Sequence, residues 1–241
     1  GGPEVSYDAP KFLKRHPEVD GIMCAEGEKT LTELINYYEI GKSQGESLDG
    51  INGIVYQENK TIHQTPLRDI MNMDDLVFPY EDLKDFEHKI IYYESSRGCP
   101  FSCSYCLSSI DKKLRFRSFS LVEKELEFFL AHKVPQVKFV DRTFNCKKSH
   151  AMAIWNYIKE HDKGITNFHF EVAADLLNEE EIELIRSLRP GLIQLEIGIQ
   201  STNKQTIKEI NRSMNLEKVR DKVARIHEKG NVHQHLDLIA G

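Results

Sequence analysis

The stretch Ser96-Arg97-Gly98-Cys99-Pro100-Phe101-Ser102-Cys103-Ser104-Tyr105-Cys106 decides how the rest of the chain is read. It places three of the five cysteines in a C-x3-C-x2-C run directly after a β-prone segment. Thiolates this close repel one another unless a cation neutralises them, and zinc or an iron–sulfur cluster is the usual cation. Structural zinc takes about four protein ligands. No fourth Cys or His stands at ligand spacing beside this loop, so a closed zinc site is disfavoured. A four-iron cluster held by three cysteines leaves one iron open to a substrate or cofactor, which is a catalytic arrangement.

The spacing Cys99-x3-Cys103-x2-Cys106, with the aromatic Tyr105 just before the third cysteine, resembles the signature of the radical S-adenosylmethionine (radical SAM) superfamily. The resemblance implies that the three cysteines hold a 4Fe-4S cluster whose open iron chelates the methionyl amino and carboxylate groups of SAM. It further implies that one electron cleaves the sulfonium and releases a 5′-deoxyadenosyl radical. A binding module in which the three thiols hold zinc is the alternative from outside the enzyme class.

Working outward, the 241 residues are 40% apolar, enough for one large core or two modest ones. The net charge of -6 and the lack of a dense Lys/Arg block make nucleic acid an unexpected partner. No apolar run approaches the roughly 20 residues of a membrane span. Without a leader-like start, and with clustered cysteines that do not form a secreted disulfide framework, a cytoplasmic setting is expected. The chain opens on Gly1-Gly2-Pro3 and closes on a strand-like run, so it is expected to be a piece of a longer protein.

Ahead of the cysteines, residues 8–16 read as a helix, 19–25 as a buried strand, and 30–38 as a helix with Leu31, Leu34 and Ile35 at helical spacing. Residues 53–62 read as a β-hairpin turning at Glu58-Asn59-Lys60. The unit 1–62 is similar to the C-terminal part of a flavodoxin-like cobalamin-binding domain. That resemblance implies cobalamin as a cofactor of the full-length protein, with most of its pocket outside this portion. A generic strand-turn-helix unit is the plainer reading of the same pattern. Residues 63–88 lack periodicity and are expected to be a surface linker.

From residue 89 to 241 strands alternate with helices. Strands are expected at 90–95, 136–140, 167–173, 192–199 and 233–239, and helices at 121–132, 149–161, 178–188 and 216–229. Such alternation implies a parallel sheet. The resemblance makes it an α/β, partial (β/α)6 TIM-like barrel with five of six units present. An exposed last edge, or one covered by a neighbouring chain, is then expected.

Parallel barrels carry their chemistry at the C-terminal strand ends. In 194–200 one face is wholly aliphatic and the other carries Glu196, Gly198 and Gln200; in 168–175 the same alternation sends Glu171 and Asp175 inward. Helices cover the outside, so the polar sets are expected to face the lumen. By resemblance, Asp141 stands where the superfamily often has Gly-Gly-Glu against the SAM amino group, although the sequence here is Val140-Asp141-Arg142-Thr143-Phe144. Glu171 matches the position that holds ribose hydroxyls, Gln200-Ser201 a Gln-Ser found in several subfamilies, Arg212 the partner of the SAM carboxylate, and Ile239 an apolar contact to adenine. Tyr105 and Glu196 complete the expected cofactor-binding set, beside the metal ligands Cys99, Cys103 and Cys106.

Less is expected of other residues. His233 and His235 share a strand face without a third ligand nearby, Trp155 reads as core, Cys24 as a buried apolar thiol, and Cys146 as a residue at the mouth of the site. The expected activity is reductive SAM cleavage by a cobalamin-dependent methyltransferase, or a radical oxidoreductase, acting on a small molecule. A methylthiotransferase should show a second cysteine trio, which is absent from this portion. A flavodoxin or ferredoxin is the expected electron donor.

Overall fold

The computed structural model describes residues 1–110 and 112–239; Ala240 and Gly241, which follow the expected fifth strand, lie outside the described residues. The chain divides into two compact units, Gly1–Asn72 and Met73–Gly241.

In the first unit, helices α1 (Pro3–Ser6) and α2 (Ala9–Arg15) precede strand β1 (Gly21–Met23), helix α3 (Glu28–Glu39) and the hairpin β2 (Ile54–Glu58) and β3 (Thr61–Gln64). Prolines in the first turns of α1 and α2 occupy positions where no intrahelical N–H is needed. Ala9 and Leu13 of α2 pack on Ile22, Cys24 and Val55, so Cys24 is the buried apolar thiol the sequence implied. The hairpin turns at Asn59 and Lys60, both at positive φ, which matches the twist of the strands it joins. The three strands form an antiparallel sheet in the order β1-β2-β3. Residues 1–62 therefore do not by themselves contain the parallel ladder of a flavodoxin-like domain. Of the apolar stripe on α3, Leu34 packs against Ile51, Ile54 and Tyr56, while Leu31 and Ile35 stay about half exposed, at 48% and 47%.

The second unit begins inside the segment expected as a linker. Phe78, Leu83 and Phe86 pack against the main core, and Tyr80 belongs to it. Aromatic residues in an aperiodic stretch hide from a search for helical or strand spacing, yet their area still drives them inward.

The sheet of this unit runs β10-β9-β8-β7-β4, parallel throughout. Its strands are β4 (Ile91–Tyr93), β7 (Gln136–Phe139), β8 (Asn167–Glu171), β9 (Ile193–Gln200) and β10 (His233–Leu238), and between β4 and β7 lies a hairpin of β5 (Ser96–Arg97) and β6 (Arg115–Phe116). The helices are α4 (Phe119–Ala131), α5 (Lys148–Glu160), α6 (Glu179–Ser187), α7 (Lys204–Glu209) and α8 (Leu216–Lys229). Each expected strand and helix of this unit is present, while the β5–β6 hairpin and α7 had no sequence expectation. Burial along β9 alternates without a break, Ile193, Leu195, Ile197 and Ile199 being buried. With Val137, Phe139, Phe168 and Phe170 they meet Leu126, Phe129, Trp155 and Ile185 from the helices in one continuous core. The edge strand β10 leaves Leu236 and Leu238 exposed, as expected of the last strand present. Among the described residues no helix is long and apolar enough to cross a membrane.

Candidate active site

The loop between Arg97 and Arg115 holds the cysteines in place by closing on itself. Ser96 and Arg97 pair with Phe116 and Arg115, so the segment between them leaves and returns at one point. Gly98 sits at φ +97°, and a Cβ there would lie 2.6 Å from the Lys113 carbonyl oxygen. Only glycine combines that dihedral with that approach. Beyond it, the Cys106 N–H donates to the Cys103 carbonyl (3.1 Å), folding the C-x2-C turn. The loop is then stitched to the segment after α7: the Ser104 N–H donates to the Ile210 carbonyl (2.9 Å) and Asn211 Nδ2 to the Ser102 carbonyl (2.8 Å).

The return arm has its own anchor. Arg117, buried, donates through Nε to Glu125 (2.9 and 3.1 Å) and through its terminal nitrogens to the Met73 and Leu76 carbonyls (2.5 and 3.0 Å). Glu125 also accepts from the Tyr93 hydroxyl (2.6 Å). A buried ion pair satisfied at so many points resists rearrangement, because removing one partner strands the other charge.

These constraints bring Cys99, Cys103 and Cys106 to one wall of a cavity of about 230 Å³, with Tyr105 beside them and Glu171, Glu196, Gly198, Gln200 and Arg212 also lining it. Cys99 and Cys103 are buried and none of the cysteines is in a disulfide. Cys99 Sγ lies 3.7 Å from Thr143 Oγ1, and Arg212 Nη1 donates to Tyr105 Oη (3.0 Å) and reaches Cys103 Sγ at 3.9 Å. The other terminal nitrogen of Arg212 donates to the Gly198 carbonyl, while its buried Nε has no partner. Gln200 adopts a left-handed φ of 67° at the end of β9, where the ladder to β10 shifts register. That turn folds the Gln200 amide over Gly198, where a Cβ would come within 2.5 Å of Nε2.

The inner faces of β7, β8 and β9 supply charge. Lys138 Nζ sits 2.9 Å and His169 Nε2 3.0 Å from Glu196 Oε2. Against the upward push of burial, the hydrogen bond and charge of Lys138 hold the Glu196 carboxyl below the ordinary value. Burial and the neighbouring Glu196 charge push Glu171 above it. Two carboxylates in one cavity are thus driven apart in proton affinity, the pattern by which sites divide acid, base and ion-holding work.

Not every expected residue comes to this wall. Asp141 is fully enclosed, its oxygens taken by the Ser95 N–H (3.0 Å), the Ser95 hydroxyl (2.8 Å) and the Ser96 hydroxyl. Ile239 is exposed, its N–H donating to the Gln200 carbonyl (2.9 Å). His235 pairs with Asp237 (3.1 Å) rather than with His233. Burial, followed by the charges of Asp141 and Cys99, pushes the Cys146 thiol up to about 11, and Cys146 does not line the cavity. Conversely Arg142, Thr143, Asp175 and Asp237 line the cavity. Of these only Asp175 was expected to face inward. The alternation that pointed to Glu196 would have found Lys138 too, flanked as it is by the buried Val137 and Phe139.

The profile of the radical SAM superfamily matches residues 93–241, more than half of the chain. The chain belongs to the radical SAM superfamily. Relatives of this radical SAM chain include the uncharacterized methyltransferase PH0819 of Pyrococcus horikoshii, 27% identical over 225 residues, covering 89% of this chain and 47% of the relative. Another is the cobalamin-dependent radical SAM methyltransferase TokK of Streptomyces tokunonensis, 24% identical, covering 100% of this chain and 37% of the relative. The chain spans less than half the length of these curated relatives. Among solved structures, it is similar to the cobalamin-dependent S-adenosylmethionine radical enzyme OxsB with aqua-cobalamin and S-adenosylmethionine bound: TM-score 0.78, 20% identity, 99% of this chain and 36% of that one. It is also similar to the radical S-adenosylmethionine methyltransferase TsrM of Kitasatospora setae with cobalamin and a 4Fe-4S cluster bound: TM-score 0.73, 16% identity, 96% and 48% covered. At those identities the likeness is one of fold.

The superfamily uses a 4Fe-4S cluster and SAM, and the residues present fit both. Three cysteine thiols, none in a disulfide, lining one cavity are the soft donor set that iron–sulfur clusters take. Among the described residues no three His, Cys, Asp or Glu side chains converge on a single metal-ion position. A partnerless buried Arg212 Nε and a carboxylate pair lie in the same cavity for a ligand that carries both signs of charge.

Proposed function

We propose that this chain is the SAM-cleaving portion of a cobalamin-dependent radical SAM methyltransferase acting on a small molecule, with residues 1–62 as the end of its cobalamin-binding domain. The observation that carries the reading is that Cys99, Cys103 and Cys106 share one cavity with Glu171, Glu196, Gln200 and Arg212. The methyltransferase part is supported by relatives that bear that name and by the likeness in fold to two cobalamin-dependent enzymes.

Bound in this cavity, a 4Fe-4S cluster and SAM supply one-electron cleavage of the sulfonium to a 5′-deoxyadenosyl radical and methionine. The chain's own residues hold and orient. Cys99, Cys103 and Cys106 ligate through thiolates. Arg212 pairs with the methionyl carboxylate by charge-assisted hydrogen bonds. Glu171, whose carboxyl burial pushes above its ordinary value, accepts from ribose hydroxyls. Glu196, kept ionised by Lys138, meets positive charge, and Tyr105 and Gln200 close the cavity around the ligand. One electron per cleavage comes from a small redox protein such as a flavodoxin or ferredoxin.

Anaerobic reconstitution tests the reading: a broad absorbance near ~400 nm, about four iron and four sulfide per chain, and 5′-deoxyadenosine after dithionite are expected. One zinc and no sulfide would overturn it. The cobalamin part is tested separately, by binding of hydroxocobalamin to the protein that contains this chain in full; no binding at micromolar concentration leaves SAM cleavage standing and removes the methyltransferase.

A further inference from the structure

Asp141 is a buried carboxylate that the site as described leaves without a task. Its Oδ2 accepts the Ser95 N–H and its Oδ1 accepts both the Ser95 and Ser96 hydroxyls. The Ser95 hydroxyl has one proton and gives it to Asp141, so the His150 Nε2 at 2.9 Å from the same oxygen must be the donor of that second bond. On its other side the His150 ring packs on Phe116 and Phe144. Burial, then the nearby Lys147 charge, pushes its pKa down to about 4. The anion thus sits among hydroxyls, an amide and a neutral ring, with no cation among the partners it bonds.

What it bonds is the start of the cluster loop. Ser95 and Ser96 lead into β5, and the Ser95 carbonyl accepts the Arg117 N–H from the returning arm (2.9 Å), so one carboxylate fixes the point at which both arms of the loop leave the sheet. On the other side, two residues along the chain, Thr143 places its hydroxyl against Cys99 Sγ. Asp141 is therefore connected to Cys99 by two short routes, along the chain from Ser96 and along the chain to Thr143. A neutral side chain would hold two hydroxyls at less desolvation cost, so the negative charge calls for a purpose. Fixed charge near an iron–sulfur cluster tunes its potential, and a negative one makes reduction harder and the reduced cluster a stronger donor.

We propose that Asp141 is a positioning residue for the cluster: through Ser95 and Ser96 it seats the Cys99 arm of the loop, and its buried charge at the root of that arm keeps the cluster's reduction potential low. The proposal rests on the radical SAM reading, and the wild-type chain separates the two. If anaerobically reconstituted wild type takes up no iron–sulfur cluster, that reading fails before Asp141 is tested.

With a loaded wild type in hand, Asp141→Asn and Asp141→Ala are compared without SAM by redox titration of the cluster and by iron release to a chelator, with circular dichroism to check folding. The titration is run at pH 8, where a carboxyl pushed up to about 6 by burial is ionised. An asparagine still accepts the Ser95 N–H, and the two hydroxyls can turn to accept its amide protons. Asp141→Asn is therefore expected to keep the full cluster at a more positive midpoint potential. Asp141→Ala takes the acceptor from one N–H and two hydroxyl protons in a buried pocket and is expected to release iron about tenfold faster, the scale seen when outer partners of metal ligands are lost. An Asn variant whose potential equals or falls below that of wild type overturns the proposal, and so does an Ala variant that folds and holds iron as tightly as wild type. Should the Ala variant not fold, the potential of the Asn variant alone decides.

Discussion

The two faces of β9 are made of residues one apart in sequence and have opposite physical tasks. Ile193, Leu195, Ile197 and Ile199 are buried against helices, while Glu196, Gly198 and Gln200 line the cavity between them. The first face gains free energy from area removed from water. The second gains none from area, holds a carboxylate raised by burial on the adjacent β8, and places Gln200 in a left-handed conformation that costs a non-glycine residue energy. The lesson is that the outer face stabilises what the inner face destabilises, and substitutions on the two sides should separate folding from cofactor binding.

The largest separation is expected at the cysteine loop, which extends the inner face. Cys103→Ala should abolish stable cluster binding and 5′-deoxyadenosine formation, while unfolding of the cluster-free protein shifts by less than about 1 kcal/mol, because Cys103 lies outside the apolar core. Urea titration beside iron analysis checks it. A variant that still forms 5′-deoxyadenosine with dithionite would remove Cys103 from the ligand set.

The reverse is expected of Phe170, on the outer face of β8 with its ring 4.5 Å from that of Phe139, 4.3 Å from Phe144 and 6.1 Å from Trp155. Phe170→Ala opens a cavity in that aromatic group and should cost about 3 to 5 kcal/mol of stability. SAM affinity of the protein that remains folded in the reconstituted state should be unchanged. If binding is lost in step with stability, the two faces are not independent.

Sequence period explains what was legible here and what was not. The strand–helix alternation, the inward set on β9 and the cysteine spacing are local patterns, carried by residues within a few positions of one another. The β5–β6 hairpin pairs Arg97 with Arg115 across a loop, and two-residue strands have no period to detect. Phe78 and Tyr80 reach the core from an aperiodic stretch for the same reason. Asp141 shows a different limit. At a strand end a carboxylate looks like a ligand contact, and what redirects it are Ser95 and Ser96, about 45 positions away. In α3 the period was read, but Leu31 and Ile35 remain exposed, since helical spacing identifies a face and not its partner.

On the inner face itself, Arg212→Ala should weaken SAM by about tenfold to a hundredfold, the loss of a charged hydrogen bond worth roughly 1.5 to 3 kcal/mol. Because Arg212 also bonds Tyr105, Tyr105→Phe is the control that removes this one contact. Calorimetry on the reconstituted protein should show a much smaller loss for the control. Equal affinities in wild type and Arg212→Ala would take the arginine out of the site.

The smallest effect is the sharpest test of the opposition between the faces. Burial and the charges of Glu196 and Asp237 raise the Glu171 carboxyl, while Lys138 and Arg142 pull it down less. A carboxyl raised in the fold contributes stability that is present below its ordinary pKa and lost as pH rises through the folded value. At pH 7 the ionised Glu171 therefore destabilises the ligand-free protein relative to a neutral side chain of the same shape. Glu171→Gln is expected to be more stable than wild type at pH 7, by an amount on the order of 1 kcal/mol or less given its partial exposure. The gap should close as pH falls below about 4, where both side chains are neutral. The same variant should bind SAM more weakly, because a carboxylate offers two acceptor oxygens to the ribose hydroxyls and an amide only one. Urea unfolding at pH 7 and pH 4 checks the sign: a variant less stable at pH 7, or a gap unchanged at pH 4, would mean that Glu171 supports the fold and is not held against it.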